Sequence, residues 1–349
     1  MQLTYLPITL KLSEVFTIAH DQRSEQEALI VGLKWGDYLG IGQSTASKYY
    51  EVSIEQMIQG LEAVKPFLTD MESSFLLSPE EFWEKVYPYF TDNHFALSAV
   101  DMAYHDLYGK VQDHTLHELW GLKPDKAPLT NYTIGIASIP EMKEKIQATP
   151  WPLYKIKLGT EHDLDIIRAL REVTDAPFRV DANCAWTADF CKDIAPKLKA
   201  LGVEFIEQPL KAEDWEGMKE VYPDSPLPYL ADESCKSEAD VERCHGHFHG
   251  INIKLPKCGG LTPAMRMIRK AKELNMQVMV GCMTESIIGI SAISQLAPLL
   301  DYIDVDGAMT VSNDVAEGNK LENGNILFSD LPGIGASLHP EVQQQLLGS

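Results

Sequence analysis

Short alternations of apolar and polar residues fill the first 50 positions, as in residues 3–12 (LTYLPITLKL) and 28–44 (ALIVGLKWGDYLGIGQS). A period of two is typical of strands with one buried face, and WGD at 35–37 marks a turn. From residue 53 to about residue 119 the apolar positions recur with helical spacing instead. The pattern therefore predicts a small antiparallel sheet followed by helices, an α+β unit over about residues 1–120.

After residue 121, eight short apolar runs alternate with segments of helical period. Each run has a polar or reactive residue near its carboxyl end, in the order Thr133, Lys157, Asp181, Glu207, Asp232, Lys254, Cys282 and Asp304. These positions recur every 22 to 28 residues, the length of one βα unit. We therefore predict an α/β fold, with a modified (β/α)8 TIM barrel over residues 121–310 and an N-terminal α+β capping domain over residues 1–120. The tail, 311–349, is expected to pack back on the capping domain.

The charge balance excludes several classes of partner. Among 349 residues, 51 acids against 30 bases give a formal charge of −21, which would repel nucleic acid and anionic membrane surfaces. The amino terminus has no signal-peptide pattern, and no apolar window approaches the ~20 residues of a membrane helix. We expect a cytoplasmic protein with no nucleic-acid or membrane partner.

Three carboxylates end consecutive predicted strands, namely Asp181, Glu207 and Asp232. Such groups repel one another unless a cation lies among them, and oxygen-only ligands favour a hard cation such as Mg²⁺. A single strand-end acid is more often a helix cap or a surface group. Equivalent placement on three adjacent strands favours the metal site.

Two lysines end strands that lie opposite each other in an eight-membered ring, Lys157 on the second strand and Lys254 on the sixth. They could approach a bound substrate from its two faces, and a neighbouring dication would lower an amine's pKa toward that of a general base. A lone strand-end lysine is usually a snorkelling surface group. Lys155 shares a strand face with Lys157 and could stabilise an anion.

The last strand carries Asp304 and Asp306 on one face. Two carboxylates without a metal role suggest a cationic group on the ligand, such as an α-ammonium. Capping of the following turn would explain the two residues equally well.

The ordered motifs resemble those of the enolase superfamily, specifically its muconate-lactonizing subgroup. They are KxK at 155–157, DxN at 181–183, EQP at 207–209, DES at 232–234 and NIK at 252–254. The DxD at 304–306 resembles that of the dipeptide epimerases, and the resemblance spans essentially the whole chain.

The resemblance implies Mg-dependent epimerisation of dipeptides at the α-carbon of the C-terminal residue, by proton transfer between two lysines. It implies that Asp181, Glu207 and Asp232 bind one Mg²⁺ per subunit and that Lys157 and Lys254 are the acid/base pair. It also implies that Lys155 contacts the substrate carboxylate, that Thr133 and Cys282 touch the dipeptide, and that Asp304 and Asp306 bind its ammonium. Barrels of this family often form homo-oligomers.

One position departs from the epimerases that act on Ala-Glu, where an arginine follows the first strand. Alignment on Phe16 and the EALIV run at 27–31 places Asp21 there, with Arg23 displaced by two residues. We therefore expect Asp21 to be a substrate contact and the substrate to be Ala-Xaa with a small, neutral or hydrophobic second residue, such as Ala-Ala. The alternatives are an Ala-Glu or cationic dipeptide, o-succinylbenzoate synthesis, muconate cycloisomerisation, and non-catalytic metal-dependent ligand binding.

Overall fold

The computed structural model describes residues 1–71 and 76–348. The chain begins with a three-stranded antiparallel sheet whose strands follow chain order, β1 (Gln2–Ile18), β2 (Asp21–Trp35) and β3 (Tyr38–Thr45). The β1–β2 pairing is interrupted by a register shift between Lys11 and Phe16. The shift lies next to the end of the β1–β2 hairpin, whose residues Phe16 and Ile18 line the cavity described below.

The helices of the amino-terminal unit are α1 (Ile54–Asp70), α2 (Pro79–Val86), α3 (His94–Gln112) and the short α4 (Leu116–Leu119). Helices α1 and α3 pack on the sheet, and α2 and α4 pack against α3. Capping boxes at Ser53 and Ser78 fix the starts of α1 and α2. The backbone of α3 approaches β3 so closely that a Cβ at Gly40 or Gly42 would lie 2.1 Å from a carbonyl oxygen of α3. Only glycine fits at these two positions.

Eight parallel strands follow within the described residues, hydrogen-bonded in chain order. They are β4 (Tyr132–Ile134), β5 (Tyr154–Lys157), β6 (Phe178–Asp181), β7 (Val203–Glu207), β8 (Tyr229–Ala231), β9 (Gly250–Ile253), β10 (Gln277–Gly281) and β11 (Tyr302–Asp304). A parallel bridge between Thr130 and Ile303 joins the first strand region to the last. The predicted barrel with an N-terminal α+β unit is thereby confirmed.

The strands of the barrel are connected by helices on its outside. These are α5 (Ile139–Ala148), α6 (Asp163–Arg171), α7 (Ala188–Ala200), α8 (Trp215–Val221), α9 (Glu238–Cys244), α10 (Leu255–Cys258), α11 (Leu261–Glu273) and α12 (Ile287–Ser294). Short 3₁₀ turns lie at Tyr87–Tyr89, Pro124–Lys126, Ala297–Leu299 and Gly307–Thr310.

The carboxyl-terminal segment contains β12 (Ala316–Glu317), β13 (Lys320–Glu322), β14 (Asn325–Leu327), β15 (Ser337–Leu338) and α13 (Pro340–Gly348). Helix α13 contacts β1 and β2. Buried Asp106 of α3 joins the same segment to the first sheet, because it accepts hydrogen bonds from the backbone N–H groups of both Ile334 and Ile41. Ser349, the last residue of the predicted tail, lies outside the described residues. The domain boundaries at 120 and 310 stay predictions.

The apolar residues form two large cores. One lies between the first sheet and helices α1–α3 and includes Leu29, Phe82 and Tyr104, whereas the other fills the space between the barrel strands and their helices. Among the described helices, none combines the length and the apolar character needed to cross a bilayer.

Candidate active site

A cavity opens between the amino-terminal sheet and the mouth of the barrel. The amino-terminal unit contributes Phe16, Ile18, His20, Arg23, Tyr49 and Tyr50 to its wall, and the barrel contributes residues from the carboxyl ends of its strands. Active sites of such barrels form at this end because the βα loops converge there. The barrel-side wall includes most of the predicted substrate and acid/base residues, Thr133, Lys155, Lys157, Lys254, Cys282, Asp304 and Asp306.

The three predicted metal ligands meet at the carboxyl ends of their strands. Asp181 and Glu207 are partners in the β6–β7 register, and Asp232 directly follows β8. One oxygen from each carboxylate lies within 4.8 Å of the others, and all three side chains are buried.

These donors fit a small hard cation, since they are all carboxylate oxygens held close together. Two further buried oxygens, Asn183 Oδ1 and Glu233 Oε2, have no hydrogen-bond partner. They belong to the segments that follow two of the three ligands. Unpaired buried polar atoms at this position are consistent with a cation, or with water bound to it, at the site.

Each of the two predicted acid/base lysines is paired with one of these carboxylates. Lys157 Nζ lies 2.6 Å from Asp181 Oδ2 and Lys254 Nζ lies 2.8 Å from Asp232 Oδ2. Burial lowers the pKa of Lys254, but the charges of Asp232 and Glu207 outweigh it and raise the pKa above the usual lysine range. In this arrangement Lys254 is a charged acid. It becomes a base only when another cation takes over its attraction to the carboxylates.

Lys155 is more deeply enclosed than the sequence suggests. Its Nζ lies 2.7 Å from Glu207 Oε2, 2.9 Å from Asp304 Oδ2 and 3.3 Å from Asp181 Oδ2. Burial opposes the charge, but the three carboxylates prevail and raise the pKa well above its ordinary value. Lys155 is therefore a fixed positive charge at the junction of the metal triad and the DxD motif.

The DxD carboxylates lie in different environments. Asp304 accepts hydrogen bonds from Lys155 and from Asn131 Nδ2 at 2.8 Å, and these partners hold its pKa below the usual range although burial raises it. Asp306 accepts a hydrogen bond from the backbone N–H of Thr133, and burial together with the charge of Asp304 raises its pKa. The thiol of Cys282 lies close to both carboxylates. The site thus places two carboxyl groups where the sequence predicts an ammonium, and a bound cation would favour the ionised form of both.

The structure places Asp21 outside the wall of this cavity and Arg23 within it. The two side chains form an ion pair, and Arg23 Nη1 also donates to Gln26 Oε1 at 2.6 Å. The guanidinium facing the cavity is therefore already balanced by a neighbouring acid. The assignment of Asp21 as a direct substrate contact stays a prediction.

Two polar residues that support the site, Gln208 and Asn252, were not singled out from the sequence. Gln208 Oε1 accepts the backbone N–H groups of Asp232 and Ser234 at 3.0 Å each, and Asn252 Nδ2 donates to Glu207 Oε1 at 2.8 Å. Both are the polar neighbours of the assigned residues in the EQP and NIK motifs. A polar side chain within an otherwise apolar strand end is a feature of the sequence from which both supporting residues could have been predicted.

Comparisons with known proteins agree with this geometry. The family model of the mandelate racemase/muconate lactonizing enzyme N-terminal domain matches residues 6–121, and the enolase C-terminal domain-like model matches residues 139–342. The chain is 50% identical to the L-Ala-D/L-amino acid epimerase of Maribacter sp. over 97% of this chain and 100% of that protein. It is 48% identical to the L-Ala-D/L-amino acid epimerase of Flavobacterium johnsoniae, again over 97% of this chain and 100% of that protein.

A solved structure gives the same architecture with its ligands in place. The dipeptide epimerase from Methylococcus capsulatus, complexed with Mg and the dipeptide L-Arg-D-Lys, superposes with a TM-score of 0.88 at 28% identity. The similarity covers 97% of this chain and 99% of that chain. The protein therefore belongs to the mandelate racemase/muconate lactonizing enzyme family of the enolase superfamily. Its expected place among the dipeptide epimerases, a group of isomerases, is confirmed by these relatives.

Proposed function

We propose that the protein is a Mg²⁺-dependent epimerase of Ala-Xaa dipeptides that inverts the α-carbon of the C-terminal residue. The single observation that carries the proposal is that two lysines, Lys157 and Lys254, line one cavity beside three converging carboxylates. Dipeptide epimerase activity as such is supported by relatives of that name.

Asp181, Glu207 and Asp232 would hold the Mg²⁺. When bound, the cation stabilises the negative charge that develops on the substrate carboxylate as the α-proton leaves. The buried oxygen-only triad supports this role, and so does the relative that was crystallised with Mg and a dipeptide. Lys155, held at the same point as a permanent ammonium, would add a second positive charge beside that carboxylate.

Proton transfer would use the two remaining lysines. An α-proton next to a carboxylate is a weak acid, so the developing ene-diolate has to be stabilised before an amine can remove the proton. Lys157 extends from the β5 end and Lys254 from the β9 end of the ring. One lysine would remove the proton from one face, and the other would return a proton to the opposite face.

The DxD motif of the barrel and the amino-terminal unit would together hold the rest of the dipeptide. Asp304 and Asp306 would bind the substrate ammonium, because a cation beside them would favour the ionised form of Asp306, whose pKa burial and the charge of Asp304 raise. Phe16 and Ile18 line the cavity together with an Arg23 that Asp21 already neutralises. An apolar wall with a balanced guanidinium favours a small, neutral or hydrophobic second residue over glutamate.

The proposal is tested with a library of L-Ala-L-Xaa dipeptides, Mg²⁺ and the purified protein, with epimerised products separated chromatographically. We expect turnover of neutral members such as L-Ala-L-Ala and weaker turnover of L-Ala-L-Glu. Absence of turnover with every Ala-Xaa dipeptide would contradict the proposal, and preference for L-Ala-L-Glu or for cationic dipeptides would refute the substrate class alone. A cytoplasmic location and homo-oligomer formation stay predictions.

A further inference from the structure

One buried cation in the barrel has no part in the proposed proton transfer. Lys257 is 3% exposed and lies outside the wall of the substrate cavity, unlike the other three lysines of the site. A buried ammonium is costly unless its donors are all engaged. Its partners therefore indicate why it is there.

The ammonium of Lys257 joins the ends of two strands. It donates to Asp232 Oδ1 at 2.6 Å, to the Asp232 carbonyl oxygen, and to the Cys235 carbonyl oxygen at 2.9 Å. The carbonyl of Asn252, at the end of β9, lies 3.4 Å away. The segment that carries the metal ligand Asp232 is thereby tied to the strand that precedes Lys254.

The two oxygens of Asp232 are divided between two lysines. Lys254 Nζ lies 2.8 Å from Oδ2, while Lys257 holds Oδ1. Lys254 and Lys257 stand three residues apart at the first turn of α10, so both reach the same carboxylate from one side of the turn. With Oδ1 fixed, the carboxylate presents Oδ2 toward Lys254.

A further contact anchors this turn to the amino-terminal unit. The ring Nδ1 of His94, the first residue of α3, lies 3.1 Å from the Lys257 carbonyl oxygen. The backbone of Lys257 is thus held from one side while its side chain holds Asp232 on the other. This rigid support is what a metal ligand requires if its geometry is to be kept.

We infer that Lys257 is a positioning residue, which orients the Asp232 carboxylate so that Oδ2 alone serves the metal and Lys254. This inference rests on the proposed function for its catalytic part, but not for its metal-binding part. Loss of the ammonium also removes a charge that repels Mg²⁺. We expect the lost orientation to outweigh that relief, because three hydrogen bonds of a buried ligand segment disappear together.

The test is Lys257→Met, which keeps the length of the side chain and removes its donors. We expect the Mg²⁺ dissociation constant, measured calorimetrically on the folded protein, to rise by about 10- to 100-fold. At saturating Mg²⁺, kcat for L-Ala-L-Ala should fall while KM changes little, since Lys257 does not touch the substrate.

Lys110→Met is the matched control. Lys110 likewise donates to a buried carboxylate, Asp106 Oδ2 at 2.6 Å, and to a carbonyl oxygen, that of Leu39 at 3.0 Å, but in the amino-terminal unit. This variant should lose thermal stability and keep the wild-type Mg²⁺ affinity.

Unchanged or tighter Mg²⁺ binding by folded Lys257→Met would overturn the inference. If that variant does not fold, Lys257→Gln, which keeps one donor, is measured against the same criterion. Failure of both variants to fold in the presence of Mg²⁺ would also overturn it, because Lys257 would then serve the stability of the barrel. A wild-type protein without epimerase activity would refute the proposed function, while calorimetry would still decide the role of Lys257.

Discussion

Removal of Asp21 should change the substrate preference by releasing Arg23 into the cavity. In the folded protein Arg23 faces the cavity but is paired with Asp21 and hydrogen-bonded to Gln26. Asp21→Ala leaves the guanidinium with an uncompensated charge beside the bound dipeptide. A carboxylate on the second residue of the substrate, as in L-Ala-L-Glu, could then replace the lost partner.

The size of the effect follows from the partial burial of the pair. The side chains of Arg23 and Asp21 are 29% and 19% exposed. A fully exposed ion pair contributes about 0–1 kcal/mol, and a hydrogen bond to a charged group about 1.5–3 kcal/mol. An intermediate value of about 1–2 kcal/mol corresponds to a roughly 5- to 30-fold change in a rate or affinity ratio.

The assay compares kcat/KM for L-Ala-L-Glu and L-Ala-L-Ala in competition, with both epimerised products quantified in one reaction. The ratio should rise roughly 5- to 30-fold in Asp21→Ala. Glu25→Ala is the matched control, because Glu25 is an exposed acid on the same strand whose removal changes the net charge equally. An unchanged ratio in Asp21→Ala, or an equal rise in Glu25→Ala, would refute the idea that Asp21 neutralises Arg23.

Three further outcomes concern stability and the metal. Asp106→Ala should lower the free energy of urea unfolding by about 2–5 kcal/mol, because the buried N–H groups of Ile41 and Ile334 lose their acceptor. A loss of less than about 1 kcal/mol would contradict this prediction. Burial raises the pKa of Asp101 from 3.8 to about 7, so that between these two pH values the folded protein keeps a proton that the unfolded chain releases. The free energy of unfolding therefore falls as the pH rises through this interval. Asp101→Asn should show a shallower decline there, whereas parallel pH profiles would be evidence against the raised pKa. Mg²⁺ should raise the Tm and EDTA should reverse the increase, because the three carboxylates come together only in the folded state. A Tm that does not respond to Mg²⁺ would argue against the metal site.

Much of the architecture was predictable from periodicity. Regular recurrence of apolar runs indicated the eight barrel strands, and the polar residue that closes each run pointed to the end of the barrel where the site lies. The convergence of Asp181, Glu207 and Asp232 followed from their equivalent places on adjacent parallel strands. These inferences need only the strand order, which short right-handed crossovers fix.

Contacts between distant segments were not predictable in the same way. Lys155 pairs with Asp304 across 149 residues of sequence, at a point where the sequence predicts a contact between the DxD motif and the substrate ammonium. The presence of Arg23 in the cavity wall depends on side-chain reach and on the irregular β1–β2 pairing. Neither the alternation of a strand nor the spacing of a motif contains that information.

The two-lysine mechanism is tested most directly by deuterium exchange at the α-carbon in D₂O. Lys157→Ala and Lys254→Ala are each incubated with Mg²⁺ and, separately, with L-Ala-L-Ala and L-Ala-D-Ala. We predict that both variants lose epimerisation and that each retains exchange with only one isomer, the opposite one in the two variants. Retained epimerisation in either variant, or exchange of the same isomer by both, would contradict the assignment of one lysine to each face of the substrate.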